Sequence, residues 1–347
     1  MENKYLVSYC IPMYNASAFI SDCINSILNQ TYENIEIIIV DDGSTDNSYD
    51  LVLQKYEKNN TVKLFKNNKN LGVSKTLNKA ISLSSGYFIA RMDADDLCTP
   101  YRTQKQVEML LETNSDICIG DVEYFGQGNN RVWNSLKKND DIKKALLFNC
   151  PISHPTVMFK KERIALLNFY NEDSSTEDYN LWVKCIKNNF SFCAINDIAI
   201  LSRIHSGSVT QRKKKIILDS AQTDRLFALL NNDILPNKKH APILSRGLSG
   251  SNKLTLNEFK LFIKLHDNCI EKISPLSQEL RAFIIHNWVS IGINNTNLGL
   301  FAYYFWSKSY SYKEIPLAIK FKLFICYAFC LDSSSNIYHK LKKIFSR

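Results

Sequence analysis

The feature that most constrains the fold is the run Ile35-Glu36-Ile37-Ile38-Ile39-Val40, which loses polar alternation towards its end. Such a run predicts a central parallel strand covered on both faces. Comparable short apolar runs occur at Tyr5 to Ile11, Val62 to Phe65 and Tyr87 to Arg91. Between them lie helical patterns near Ala18 to Asn29, Ser48 to Glu57 and Val73 to Ser82. This alternation predicts an α/β fold whose ligands sit beyond the carboxyl ends of the strands.

Length and composition allow one large domain or two ordinary ones: 347 residues, 45% of them apolar and 12% aromatic, suffice for a buried core. The ten cysteines are scattered singly without a Cys-x-x-Cys pair, which predicts reduced core thiols rather than a zinc site or a disulfide framework. The chain opens directly into Leu6 to Ile11 without a basic leader, so the expectation is no signal peptide and a cytoplasmic location.

Beyond about residue 215 the pattern changes to amphipathic helices near Ile216 to Asn231, Thr255 to Lys272, Pro275 to Ile291 and Glu314 to Leu331. Asn237 to Lys253, rich in Lys, Ser, Gly and Pro, reads as a long connection. The expected division is therefore 1–215 and 216–347, the second region serving membrane attachment, self-association as a homo-oligomer, or acceptor presentation.

Net charge is +9, and the excess is concentrated late in the chain. Lys313, Lys320, Lys322, Lys340, Lys342, Lys343 and Arg347 face only Glu314 and Asp332. Such a tail is suited to peripheral contact with the anionic inner face of a membrane. Zinc-finger spacing and RNP-type aromatics are lacking, so nucleic acid is not an expected partner. The apolar run Leu317 to Leu331 is interrupted by Lys320 and Lys322 and falls short of the roughly 20 residues needed to span a bilayer.

Polar clusters follow three of the expected strands. They are Pro12-Met13-Tyr14-Asn15, Asp41-Asp42-Gly43-Ser44-Thr45-Asp46 and Asp93-Ala94-Asp95-Asp96. All three fall on one rim and predict one site. Hard divalent cations prefer oxygen ligands and often bind a diphosphate together with one or two carboxylates, so the last cluster predicts a Mn²⁺ or Mg²⁺ diphosphate site. A carboxylate of the second cluster is placed to accept the imide N–H of a uracil ring. Asp46 also reads as a helix cap.

Taken in order, these segments together with Asn70-Leu71-Gly72 and Thr176-Glu177-Asp178-Tyr179-Asn180-Leu181-Trp182 resemble the inverting family-2 glycosyltransferases of the GT-A fold, over roughly residues 5 to 215. The resemblance implies that Pro12, Tyr14, Asn15, Asp41 or Asp42, Asn70, Lys75, Asp93 and Ala94 line the nucleotide-sugar pocket, with Asp42 favoured over Asp41 at the uracil and Asp93 near the ribose. Asp95 and His205 would bind the metal, and Asp178 would be the catalytic base. His154, Glu177, Trp182 and Arg203 would contact the acceptor or the diphosphate. The segment Arg203 to Thr210 resembles the family's closing segment, and Arg212 to Lys215 would add positive charge for the donor.

In the Gly-containing third motif, Leu77 precedes Asn78 where the family often has Arg, so Lys75 and Lys79 are the nearby cations. The Gln-x-x-Arg-Trp signature of processive synthases is missing, which predicts single sugar additions. The expected reaction is transfer from a UDP-sugar to a hydroxyl of a glycan acceptor, lipid-linked, in bacterial O-antigen, capsule or lipooligosaccharide synthesis. Two alternatives are a non-catalytic sugar-nucleotide-binding subunit, which would not need Asp178, and a nucleotidyltransferase, which would carry a Gly-rich triphosphate loop. Gly72-Val73-Ser74-Lys75-Thr76 lacks the Walker spacing, and Gly126 and Gly128 are not part of a Gly-x-Gly-x-x-Gly.

Overall fold

The apolar runs form four parallel strands, β1 (Val7–Met13), β2 (Ile35–Asp41), β3 (Val62–Lys66) and β4 (Phe88–Arg91). These belong to a computed structural model that describes residues 4–127, 130–205, 214–249 and 254–331. Ile37, Ile38, Ile39 and Val40 are fully buried, as a strand covered on both faces requires. Between the strands run α1 (Ile20–Leu28), α2 (Ser48–Tyr56) and α3 (Val73–Leu83). In α1 the buried residues Ile20, Cys23, Ile24 and Ile27 recur at helical spacing and join the core cluster with Tyr9, Ile11, Ile37 and Ile39.

The sheet then becomes mixed. The later strands are β5 (Leu97–Cys98), β6 (Ile117–Gly126), β7 (Arg131–Trp133), β8 (Met158–Lys160) and β9 (Phe192–Ile204). Their order is β3-β2-β1-β4-β8-β6-β9-β5, with β7 paired to β6. β8 is antiparallel to β4 and to β6, whereas β9 lies parallel to β6. The intervening helices are α4 (Arg102–Glu112), α5 (Asn139–Ala145), α6 (Lys161–Ala165) and α7 (Glu177–Lys187). Register places Met13 opposite Asp41 and Cys10 opposite Arg91, so β1, β2 and β4 all end on one rim.

The chain divides into two compact units. The first, Met1–Ile142 with Pro151–Arg212, contains the sheet. The second comprises Lys143–Cys150 and Lys213–Arg347. Arg225 accounts for the first of these two pieces: its buried guanidinium donates to the Phe148 carbonyl at 2.6 Å and to Asn149 Oδ1 at 3.4 Å.

Helices of the second unit span Lys214–Leu230, Ala241–Ser249, Leu256–Ile273, Gln278–Asn294, Gly299–Trp306 and Leu317–Ala328. Their core is an aromatic stack in which Trp288 lies 4.0 Å from the His266 ring, 5.6 Å from Phe262 and 6.2 Å from Trp306. The expected connection from Asn237 to Lys253 is corrected here, because Ala241–Ser249 is helical. Its Gly and Ser content reflects close packing: a Cβ on Gly247 would fall 2.2 Å from the Phe262 ring. Ser206 to Thr210, the side chains of Arg212 to Lys215, and the tail from Asp332 lie outside the described residues. Among the described residues no helix is long and apolar enough to cross a membrane.

Candidate donor and catalytic site

The loops after β1 and β2 are clasped together. Ser44 Oγ accepts from the Asn15 amide at 2.9 Å, and Asn15 Oδ1 accepts from the Thr45 amide at 2.8 Å. Asp46 accepts from the amides of Ser17 at 3.1 Å and Ser48 at 3.0 Å. Burial opposes ionisation of Asp46, but the hydrogen bonds from Ser48 and Ser17 prevail and hold it below the usual carboxylate range. The Asn15 side-chain oxygen thus organises the rim rather than facing a ligand. Tyr14, beside it, is 48% exposed, and Pro12 is half-buried.

The two adjacent carboxylates after β2 differ in their partners. Asp42 accepts from the Leu71 amide at 2.8 Å, the Gly72 amide at 2.9 Å and Asn67 Nδ2 at 2.9 Å. It is the anchor of the Asn70-Leu71-Gly72 loop, and the preference for Asp42 at the uracil is revised for that reason. Asp41, fully buried, accepts from the Ser44 amide through Oδ2 while Oδ1 has no hydrogen-bond partner. An unpartnered buried acceptor is costly unless a ligand donor reaches it. Gly43, at φ +71°, allows the loop to press on its neighbour, since a Cβ there would lie 2.8 Å from the Lys69 carbonyl carbon. Asn70 and Lys75 are exposed at this edge, whereas Lys79 donates to the Lys66 carbonyl at 2.9 Å and to Asn67 Oδ1 at 2.8 Å.

After β4, ligand atoms of Asp93, Asp95 and Asp96 lie within 4.8 Å of one another. Ala94 between them is buried. Burial, then the charges of Asp93 and Asp95, push Asp96 well above the usual range. Burial also raises Asp93, despite its ion pair with Arg91, and Asp95 adds to the rise. A cluster of like charges sharing one small volume fits a hard divalent cation, which removes both penalties.

The end of β9 crosses this loop. His205 Nε2 meets Asp95 Oδ2 at 2.8 Å, and its ring lies tilted against that of Phe19, centroids 4.8 Å apart. The Arg203 amide donates to Asp96 at 2.8 Å, its Nε donates to the Asp95 carbonyl at 3.1 Å, and the guanidinium lies over the rings of Phe19 and Phe125. Arg203 therefore shapes the acidic loop instead of reaching out to a diphosphate.

Glu177 and Asp178 begin α7, where the helix dipole favours negative charge. Asp178 Oδ1 accepts the Tyr179 amide at 2.7 Å. Burial, then the Asp178 charge, push Glu177 up to about 7; Arg91 opposes the rise and Asp93 adds to it. Trp182 is 0% exposed with its ring 6.2 Å from that of His154, so it is corrected from an acceptor contact to core. His154 is corrected likewise: it is buried, and Nε2 pairs with the Tyr170 hydroxyl at 2.8 Å. Burial, then Arg91, hold its imidazole neutral.

Sequence reasoning overlooked Arg91, the buried cation paired with Asp93, and Tyr170, which sits on His154. Arg91 was detectable: a charge inside an apolar strand two residues before an acidic cluster requires a partner.

The Glycosyl transferase family 2 model matches residues 8–165. The chain is also 33% identical over 250 residues to the UDP-Glc:alpha-D-GlcNAc-diphosphoundecaprenol beta-1,3-glucosyltransferase WfgD of Escherichia coli, covering 69% of this chain and 96% of that protein. This chain belongs to glycosyl transferase family 2. Among other relatives of this family-2 glycosyltransferase is the amylovoran biosynthesis glycosyltransferase AmsE of Erwinia amylovora, 27% identical over 60% of this chain and 80% of AmsE. The fold is shared with Staphylococcus aureus TarS in complex with UDP-GlcNAc, at a TM-score of 0.59 and 16% identity, over 93% of this chain and 92% of that one. The GT-A architecture expected from the motifs is thereby the observed one.

Proposed function

We propose that this family-2 glycosyltransferase moves one sugar at a time, with inversion, from a UDP-sugar to a hydroxyl of a lipid-linked glycan in bacterial surface polysaccharide synthesis. The observation that carries the reading is the convergence, on one rim, of the His205-capped group Asp93, Asp95 and Asp96 with the open buried oxygen of Asp41. The relatives WfgD and AmsE support the acceptor class, and the TarS complex supports the donor class.

In this reading Asp41 Oδ1 accepts the uracil imide N–H, Tyr14 and Pro12 flank the base, and Asp93 meets the ribose. Asp95 and His205 hold Mn²⁺ or Mg²⁺, which supplies charge neutralisation for the departing diphosphate. Asp178 takes the proton of the acceptor hydroxyl as its oxygen bonds the anomeric carbon and the bond to the diphosphate breaks. A single displacement with one base inverts that carbon. The nucleotidyltransferase alternative does not fit a chain of this family.

The test is UDP release from a panel of UDP-sugars with Mn²⁺ and extracted lipid-linked acceptors, comparing wild type with Asp95→Ala and Asp178→Asn. Release from one donor that requires metal and both carboxylates is expected. Binding without turnover favours a sugar-nucleotide-binding subunit, and no binding of any UDP-sugar rejects the donor assignment.

A further inference from the structure

We propose that the helices Gly299–Trp306 and Leu317–Ala328 form a docking face for an anionic lipid surface. In the second helix Leu323, Cys326 and Tyr327 are buried. On the opposite side Leu317, Phe321 and Phe324 are 81%, 59% and 44% exposed, at intervals of one and two helical turns. A helix facing only water carries polar residues there; this one is apolar on both sides.

The neighbouring helix repeats the arrangement, with Ala302 and Trp306 inward and Leu300, Phe301 and Tyr304 outward, Phe301 being 75% exposed. Tyr303 joins the two helices, its ring centroid 5.5 Å from both Phe324 and Tyr327. Phe329, directly after the second helix, is 72% exposed.

Charge selects the occupant. Lys308 Nζ lies 5.3 Å from the Tyr304 ring, Lys320 Nζ lies 4.8 Å from the Tyr312 ring, and Lys313 is exposed. Aromatic and aliphatic side chains bordered by lysines match the boundary between acyl chains and anionic headgroups, where the rings bury and the ammonium groups stay at phosphate level. A second copy using the same patch would bring like charges together. Neither helix is long enough to span a bilayer, so contact is in the plane of the surface. The inference does not depend on the proposed donor or acceptor.

Cosedimentation of the full chain with phosphatidylcholine vesicles, with and without phosphatidylglycerol, tests this. Wild type is expected to partition at least about ten-fold more strongly onto the anionic vesicles, with salt weakening binding. Phe301→Asp with Phe321→Asp is expected to abolish binding while lowering the melting temperature by no more than a few degrees, since both side chains are mostly exposed. Lys308→Glu with Lys313→Glu is expected to remove the preference for anionic vesicles. Failure of wild type to bind either vesicle, or equal binding by the Phe variant, overturns the proposal. So does a wild-type dimer, by light scattering, that the Phe substitutions dissociate without any vesicle binding.

Discussion

His205 Nε2 meets Asp95 Oδ2 at 2.8 Å across 110 positions of sequence. This contact joins the end of the last long strand to the centre of the acidic loop. His205→Ala is expected to weaken Mn²⁺ affinity by about ten-fold or more, the usual effect of losing a ligand or its supporting partner. Isothermal titration with Mn²⁺ and UDP measures it, and unchanged affinity would remove His205 from the metal site.

Asp41 and Asp42 predict opposite phenotypes. Asp42→Asn places an amide against the Leu71 and Gly72 donors and is expected to cost about 1.5–3 kcal/mol of stability. Asp41→Asn is expected to leave the melting temperature nearly unchanged but to lower UDP affinity by about ten-fold, because its amide would oppose the imide donor. Thermal unfolding and UDP titration of the two variants separate the roles; reversal of the pattern would restore Asp42 as the base contact.

Glu177 makes stability depend on pH. Burial, then the Asp178 charge, raises its pKa from the ordinary 4.5 to about 7, against the opposing pull of Arg91. Between those values the folded chain keeps a proton that the unfolded chain has lost. The contribution is complete below about pH 4.5 and disappears as pH rises through about 7, with a ceiling of about 3 kcal/mol. Glu177→Gln is expected to flatten the fall in melting temperature across that window. An identical slope in both proteins would refute the assignment.

Arg91 carries the largest expected stability effect. Its removal leaves a gap at a buried position and the half-buried Asp93 beside Asp95 without its cation, so Arg91→Ala is expected to cost about 3–5 kcal/mol. Arg91→Met combined with Asp93→Asn is expected to recover much of that loss. Urea unfolding of the single and double variants measures the difference.

Much of this was legible in residue order. The short apolar runs and intervening helical patterns located β1 to β4 and α1 to α3, because buried parallel strands have distinctive composition. The acidic rim followed from strand ends. The antiparallel insertion of β8 was not legible, since three residues, Met158–Lys160, have no periodicity to detect and depend on β4 and β6 for their conformation. Nor does sequence distinguish Asp41 from Asp42, because adjacent residues at a strand end turn different ways according to donors about 30 positions later. Trp182 and His154 were read as candidate contacts because aromatic and imidazole groups serve both cores and sugars; only their burial decides.

The path of β9 has a consequence for biogenesis. A chain synthesised only as far as Lys187, the end of α7, already carries Asp93, Asp95 and Asp96, but neither Arg203 nor His205. Until those two arrive, Asp93 has its Arg91 partner, but Asp95 lacks the His205 contact and Asp96 the Arg203 amide. The acidic loop is thus completed only when β9, about 100 residues further along the chain, has been made and has paired with β6.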